Sequence, residues 1–311
     1  MKYFKEIPEA ITFDEPVVTI GNFDGVHLGH RKILSVLINK AFHRKGDAVV
    51  ITFSNHPRRI INPDLKLNIL TSTEEKVKAL NEAGISNVIV LDFTKEMAQL
   101  SAKEFYQKYL IDGIGTKEIV MGYDHAFGKD REGNIDFLKE LADINNIHVH
   151  QVEGETIENK PVSSTWIREE IEAGNMMEVT SLLQRRYTLR GYVVQGESRG
   201  RHLGFPTANI VPDHVDKVIP KDGVYGVKVH LENGLSYNGM LNIGHNPTFA
   251  LNRRSIEVNI FDFDDDIYNE HITLEFFKFI RNEVKFSSVE DLIKQLEKDK
   301  SLISALLEDH T

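Results

Sequence analysis

Two rhythms of apolar spacing divide this chain. Up to about residue 152, short apolar runs alternate with stretches of helical period. Val17–Ile20, Ala48–Phe53, Asn87–Leu91, Ile119–Met121 and Ile147–Val152 read as strands, because they are mostly apolar, rich in β-branched residues and three to six residues long. Between the first two, Ile33, Leu34, Leu37, Ile38 and Ala41 recur at helical spacing. Ser72 with Glu75 spells a capping box, opening a helix that stops near Gly84. Ser101 with Glu104 spells a second, for a helix running through Leu110, and Ile135–Ile144 has helical spacing again. Strands alternating with helices predict a parallel sheet covered on both faces. Asn175–Gln184 continues in helical period.

From Tyr187 the rhythm changes to period two. Leu189–Val194, Gly223–Leu231, Tyr237–Ile243, Ile256–Phe263 and Ile272–Phe279 read as strands, and Glu232-Asn233-Gly234 carries a hairpin turn signal. Short strands at regular spacing predict a small closed antiparallel barrel. A helix over Ser288–Lys298, opened by Ser288 with Asp291, closes the pattern. The expected fold is therefore α/β plus all-β. A Rossmann-like parallel sheet occupies residues 1–186, and a barrel with a C-terminal helix occupies 187–311.

Composition agrees with that division. The chain has 311 residues, a length for about two domains, with 41% hydrophobic and 27% charged residues. It has no cysteine, so neither a disulfide framework nor thiolate chemistry is expected. No apolar run reaches the length of a membrane span, and Met1–Pro8 lacks the apolar core of a signal peptide. A cytoplasmic protein without membrane association is expected. The formal net charge of −10 argues against a nucleic-acid-coating surface but leaves room for a local anion cradle. Asp262–Asp266 lacks calcium-loop spacing and reads as a solvated turn.

The chemistry concentrates in a few phrases. Gly21-Asn22-Phe23-Asp24-Gly25-Val26-His27-Leu28-Gly29-His30 joins the first strand to the first helix. Backbone N–H groups at a helix start favour a phosphate. His27 and His30, three apart, share one helical face and can donate hydrogen bonds to it. Three further loops stand out. Ser54-Asn55-His56-Pro57-Arg58-Arg59 is a Pro-restricted basic loop. Gly122-Tyr123-Asp124-His125-Ala126-Phe127-Gly128 has glycines and aromatics suited to a planar ligand. Ser163-Ser164-Thr165-Trp166-Ile167-Arg168 opens a helix with hydroxyls and an arginine. In the second half, Gly196–Asn209 carries three glycines and two arginines, then Pro206-Thr207-Ala208-Asn209. Thr207 and Asn209 face one way in an extended segment and offer hard oxygens to Mg²⁺.

These phrases resemble the bacterial bifunctional riboflavin kinase/FAD synthetase family. The HxGH and SSTxIR phrases are similar to its nucleotidylyltransferase half, and GRxLGFPTAN to its flavokinase half. The resemblance implies that His27, His30 and Arg168 act in adenylyl transfer. It places ATP at Gly21, Asn22, Phe23, Asp24, Gly29, Ser163, Ser164 and Thr165. It places flavin at His56, Pro57, Arg58, Asp124 and Phe127. In the other half it implies ATP at Gly200, Arg201 and Gly204, Mg²⁺ at Thr207 and Asn209, and Glu257 as the base on riboflavin. Riboflavin, FMN, FAD and ATP are the implied ligands. Ser54, Asn55, His125 and Ala126 depart from the family phrases, which bears on flavin contacts. The alternatives are a different nucleotidylyltransferase, which leaves Gly200–Asn209 unexplained, and a non-catalytic flavin-responsive regulator that kept the fold.

Overall fold

The computed structural model describes residues 1–7, 13–123, 133–196, 200, 203–245 and 254–308. The chain separates into two compact units, residues 1–164 and 165–311. The first is built on a six-stranded sheet of β1 (Lys2–Phe4), β2 (Val17–Ile20), β3 (Ala48–Phe53), β4 (Asn87–Leu91), β5 (Glu118–Gly122) and β6 (His148–Val152). Their order is β1-β4-β3-β2-β5-β6, and every pairing is parallel. Successive strand residues point to opposite faces. Val18, Ile20, Val49, Ile51 and Ile89 enter one layer with Phe105, Leu110 and Leu138. Val17, Val50, Val88 and Val120 enter the other with Leu34, Leu37 and Leu80. Burial on both faces explains why these strands read as continuous apolar runs. Each fully buried Leu or Val contributes about 1.5–3 kcal/mol.

The helices follow the expected punctuation. Helix α1 (Leu28–Arg44) buries Leu34, Leu37 and Ala41 against the sheet, and ends at Lys45 in the left-handed region, φ 56°. A short α2 (Pro57–Ile61) follows β3. Helix α3 (Thr73–Glu82) has the complete Ser72–Glu75 capping box, with Gly84 beyond it at φ +91°. After β4 come α4 (Lys95–Gln99) and α5 (Ala102–Phe105), the latter carrying the Ser101–Glu104 box. The helix expected through Leu110 widens at Tyr106–Asp112 into π winding. That winding stacks residues five apart, which lets Phe105 and Leu110 share the core with Tyr106. Helix α6 spans Ile135–Ile144. Strand β1 and the small hairpin β7 (Thr156–Ile157) and β8 (Lys160–Pro161) were not expected. They are too short to show a period.

Strand β2 has β3 and β4 on one side and β5 and β6 on the other. The chain thus changes winding direction at β2. In open parallel sheets the ligand crevice lies outside the carboxyl ends of the strands at such a point. Gly21–His30 leaves β2 there.

The second unit begins within α7 (Ser164–Ala173) and continues through α8 (Met176–Leu183). A closed barrel follows, with strands β9 (Thr188–Val194), β10 (Ala208–Pro212), β11 (Gly223–Leu231), β12 (Ser236–His245), β13 (Arg254–Ile260) and β14 (His271–Arg281). Its order is β10-β13-β12-β11-β14-β9, with β9 also paired to β10. Five of these strands match the expected period-two segments. The sixth, β10, did not show as a strand because Pro206 and Pro212 bracket it. Leu189, Val193, Val227, Leu241, Val258 and Leu274 are fully buried on the inward face. The β11–β12 hairpin turns at Gly234, φ +87°. The final helix, α9 (Val289–Glu308), is longer than the expected Ser288–Lys298. Its extra turns bring Ile303 and Leu307 onto Val224, Met240 and Phe277 on the outside of the barrel. Arg281 of β14 and the buried Asp299 of α9 form an ion pair at 2.8 Å, which Gln295 supports through a 2.8 Å hydrogen bond. Asp262–Asp266 is an exposed turn apart from Phe263.

Candidate active site

The β2–α1 phrase forms a strained turn. Phe23, Gly25 and Val26 have φ of 49°, 88° and 42°. A β-branched residue in the left-handed region persists only where its surroundings enforce it. Here they do. The Asp24 carboxylate accepts from Leu70 N at 3.0 Å, Thr71 N at 3.0 Å and Thr71 Oγ1 at 3.1 Å. Thr71 Oγ1 in turn accepts from Gly25 N at 3.0 Å. Asp24, expected at ATP, therefore turns its carboxylate toward the 70–71 backbone and shapes the turn. Ser164 Oγ donates to Asp24 O at 2.9 Å, so the Ser163–Arg168 phrase begins against the first phrase.

The turn delivers the two histidines as the shared helical face requires. His27 is the N-cap of α1, and its Nδ1 accepts from His30 N at 3.4 Å. In the neutral ring this leaves Nε2 as the N–H donor. The rings of His27 and His30 stack at 3.6 Å and 19°, and Phe23 meets His30 edge-on at 5.1 Å. Burial, the neighbouring His27 and the Lys76 ammonium hold the His30 pKa well below 6.5. His30 is thus a neutral imidazole at pH 7, and its Nδ1 is buried without a hydrogen-bond partner among the described residues. A Cβ on Gly29 would stand 3.3 Å from the His27 ring, so Gly29 keeps space beside it. Two stacked imidazoles at a helix start, beside backbone N–H groups that face outward, suit an anionic ligand.

The loop after β3 does more structural work than its phrase suggested. His56 Nδ1 accepts from Arg58 N at 3.2 Å and caps α2, with Pro57 in its first turn. Asn55 pairs with the Phe93 backbone, donating at 3.0 Å and accepting at 2.9 Å, and Ser54 Oγ donates to Asp92 at 2.9 Å. The two departures at 54 and 55 thus tie the exit of β3 to the exit of β4. Asp124, His125, Ala126, Phe127 and Arg201 lie outside the described residues. Arg168 lies in the second turn of α7.

One residue of this site was not anticipated. Lys76 is 5% exposed, and its Nζ donates to Asn22 O at 3.0 Å and Phe53 O at 2.7 Å. Desolvation lowers its pKa from 10.5 to about 8, against a raising influence of Asp24. In the sequence it resembles a surface charge. Its spacing from Ala79 and Leu80, both buried, is the signal that places it on the inner face of α3.

In the barrel the site forms by strand register. Asn209 of β10 stands opposite Glu257 of β13, which stands opposite Asn242 of β12. Directly opposed residues project from one face with Cβ atoms about 4.5–5.5 Å apart. Ile256 and Val258 point inward, so Glu257 and Asn209 project from the barrel's outer face. Asn242 Nδ2 donates to Glu283 Oε1 at 3.1 Å on that face. The glycine phrase folds against it. A Cβ on Gly196 would meet Asn209 Nδ2 at 2.0 Å, and one on Gly200 would meet Phe205 O at 2.2 Å and Thr207 Oγ1 at 3.5 Å. Gly204 takes φ +81° in the turn that follows. Strand register thus brings Glu257 beside Asn209 and the neighbouring Thr207, although Glu257 is distant from them in the sequence. A cavity of about 470 Å³ in this unit is lined by Glu172, Ile219, Asp222, Arg254, Asn282 and Glu283, among others.

Two enzyme classes match these two sites in turn. Residues 11–166 match the FAD synthetase family model, and residues 183–307 match the riboflavin kinase model. A bifunctional riboflavin kinase/FMN adenylyltransferase of Listeria monocytogenes is 38% identical over 93% of this chain and 93% of its own length. The Bacillus subtilis protein of that description is 36% identical over 91% of this chain and 90% of its own. This chain belongs to the bifunctional riboflavin kinase/FMN adenylyltransferase family. A solved structure from Streptococcus pneumoniae, described as a macrolide-efflux protein, is 34% identical with a TM-score of 0.87, covering 97% of this chain and 98% of that one. The efflux description concerns that protein. Among the described residues here, no helix is long and apolar enough to cross a membrane.

Proposed function

We propose that the barrel unit phosphorylates riboflavin with ATP to give FMN, and that the α/β unit adenylylates FMN with a second ATP to give FAD and pyrophosphate. The observation that carries this division is the presence of two separately built sites, one beyond β2 and one on the outer face of the barrel. In the kinase step the riboflavin 5′-hydroxyl attacks the γ-phosphorus, its proton passes to Glu257, and ADP leaves. Thr207 and Asn209 supply neutral hard oxygens suited to Mg²⁺, and Gly196 and Gly200 leave the space beside them. A Mg²⁺ held by these residues would supply charge neutralisation to the ATP phosphates. Gly200, Arg201 and Gly204 hold the nucleotide.

In the adenylylation step a phosphate oxygen of FMN attacks the α-phosphorus of ATP and pyrophosphate leaves. No covalent enzyme intermediate is required. His27, His30 and the start of α1 donate to the phosphates as negative charge shifts to the leaving group. Gly21, Asn22, Phe23, Gly29, Ser163, Ser164, Thr165 and Arg168 complete the ATP site, and Asp24 holds its shape. His56, Pro57, Arg58, Asp124 and Phe127 bound the flavin site. Because both steps draw on ATP, we place the protein in the cytoplasm.

The functional boundary is proposed at residue 186, close to where the riboflavin kinase match begins. Incubation of the whole chain with riboflavin, Mg²⁺ and ATP, followed by separation of the flavins, should give FMN and then FAD. A folded fragment starting near Arg186 should stop at FMN. A fragment that folds by circular dichroism yet makes no FMN would refute the division.

A further inference from the structure

We infer that Lys76 is a positioning residue for adenylyl transfer: its buried ammonium clamps the carbonyls of Asn22 and Phe53 and so sets the phosphate-binding turn. The inference rests on the adenylylation reading above. Those carbonyls belong to the chain leaving β2 and to the last residue of β3, two neighbouring strand ends beside the switch point. Thr52 Oγ1 also donates to Asn22 O, at 3.0 Å. In a trans peptide the N–H points opposite to the C=O. Holding the Asn22 carbonyl down toward α3 therefore fixes the direction of the Phe23 N–H. Phe23 is the first left-handed residue of the strained turn, and its ring packs on His30.

A hydrophobic side chain of similar length would fill the same space, so packing alone does not call for a lysine here. Burying an ammonium is unfavourable, and it persists where the charge itself is used. The groups facing Lys76 are Asp24, whose carboxylate favours the cation, and His30, which its charge helps to keep neutral. His27 stacks on His30. The positive charge lies beneath the turn that would carry the triphosphate, where negative charge grows on the leaving pyrophosphate.

The test uses the full chain with Lys76→Met, Lys76→Gln and Lys76→Arg, measuring both activities in each protein. A misplaced turn lowers kcat by about 10²-fold. Lys76→Met should show that loss in FMN adenylylation, with a smaller change in KM for ATP and with riboflavin phosphorylation unchanged. Lys76→Gln, which keeps one donor but no charge, should fall in between, and Lys76→Arg should recover most of the rate. Wild-type adenylylation kinetics in Lys76→Met would overturn the inference. So would a parallel loss of both activities, or a failure of both neutral variants to fold, since each would assign Lys76 to folding alone. If the wild-type chain itself makes no FAD, the adenylylation reading fails instead.

Discussion

The two candidate sites are assembled by opposite strategies. In the α/β unit, one contiguous decapeptide carries a strand exit, a strained turn and a helix start, and both histidines lie within it. In the barrel, Asn209 and Glu257 belong to separate strands and meet only because β10 and β13 pair in that register. The first site depends on local backbone conformation, held from outside by Asp24, Thr71 and Lys76. The second depends on a ladder, in which a shift of one residue would turn Glu257 into the barrel. A site of the first kind is damaged locally, whereas one of the second kind is also exposed to anything that loosens the barrel.

The largest effect should come from Glu257→Gln, which keeps the register and removes only the base. Loss of a positioned general base costs about 10²–10⁴-fold. Riboflavin phosphorylation should fall by that factor while FMN adenylylation, measured on the same sample, stays near wild type. Equal losses in a folded protein would show that the sites are not independent. His30→Ala is the counterpart in the other unit. Losing one transition-state donor costs about 10²–10³-fold, or roughly 3–4 kcal/mol. FMN adenylylation should drop accordingly in kcat more than in KM, and kinase activity should not change. Flavin fluorescence reads it out, because FAD is quenched by its own adenine. An unchanged rate would remove the histidine pair from the mechanism.

The contrast also explains what was legible beforehand. The parallel sheet showed because strands buried on both faces are continuous apolar runs, and the capping boxes Ser72–Glu75 and Ser101–Glu104 are local signals. The decapeptide was readable for the same reason. Strand β10 was hidden by its flanking prolines, although Thr207 and Asn209 were expected to face one way in extended chain. Glu257 beside Asn209 is a register fact, and sequence spacing alone does not contain it; the family phrase implies a role for Glu257 but not its partner strand. Lys76 was overlooked because a lysine near the start of a helix with an acidic first turn looks like a surface residue. Only its place in line with Ala79 and Leu80 marks it as buried. Nothing in the loop's sequence signals that His56 caps α2 and that Asn55 pairs with the Phe93 backbone, because both contacts depend on where β3 and β4 end.

The next prediction bears on the barrel's dependence on its ladder. The outer face carrying Glu257 is flanked by α9, which the Arg281–Asp299 pair fastens to β14. Asp299 is 2% exposed, so removing its carboxylate leaves Arg281 without its buried counter-charge. Breaking one side of a buried pair costs about 3–5 kcal/mol. Asp299→Ala should therefore lower the temperature at which kinase activity is lost, with adenylylation retained to the wild-type temperature. Matched inactivation of both activities would show that the units unfold together.

The smallest expected effect concerns the α/β unit and has a definite sign in pH. Lys76 binds its proton less tightly in the folded chain, with a pKa of about 8 against 10.5 in the unfolded chain. Between those values the unfolded state carries more protons, so stability rises with pH. Below pH 8 both states are protonated, and the folded state bears the full cost of the buried ammonium. Moving from pH 7 to pH 9 should relieve that cost by about 1 kcal/mol. Hydrogen exchange at the amides of β2 and β3, referred to Lys76→Gln so that other titrations cancel, isolates the contribution. Protection in wild type should gain on the variant across that interval, while adenylylation falls as the charge beneath the turn is lost. If wild type and Lys76→Gln gain protection in parallel from pH 7 to 9, the ammonium is not carrying the cost assigned to it, and the turn is held by Asp24 and Thr71 alone.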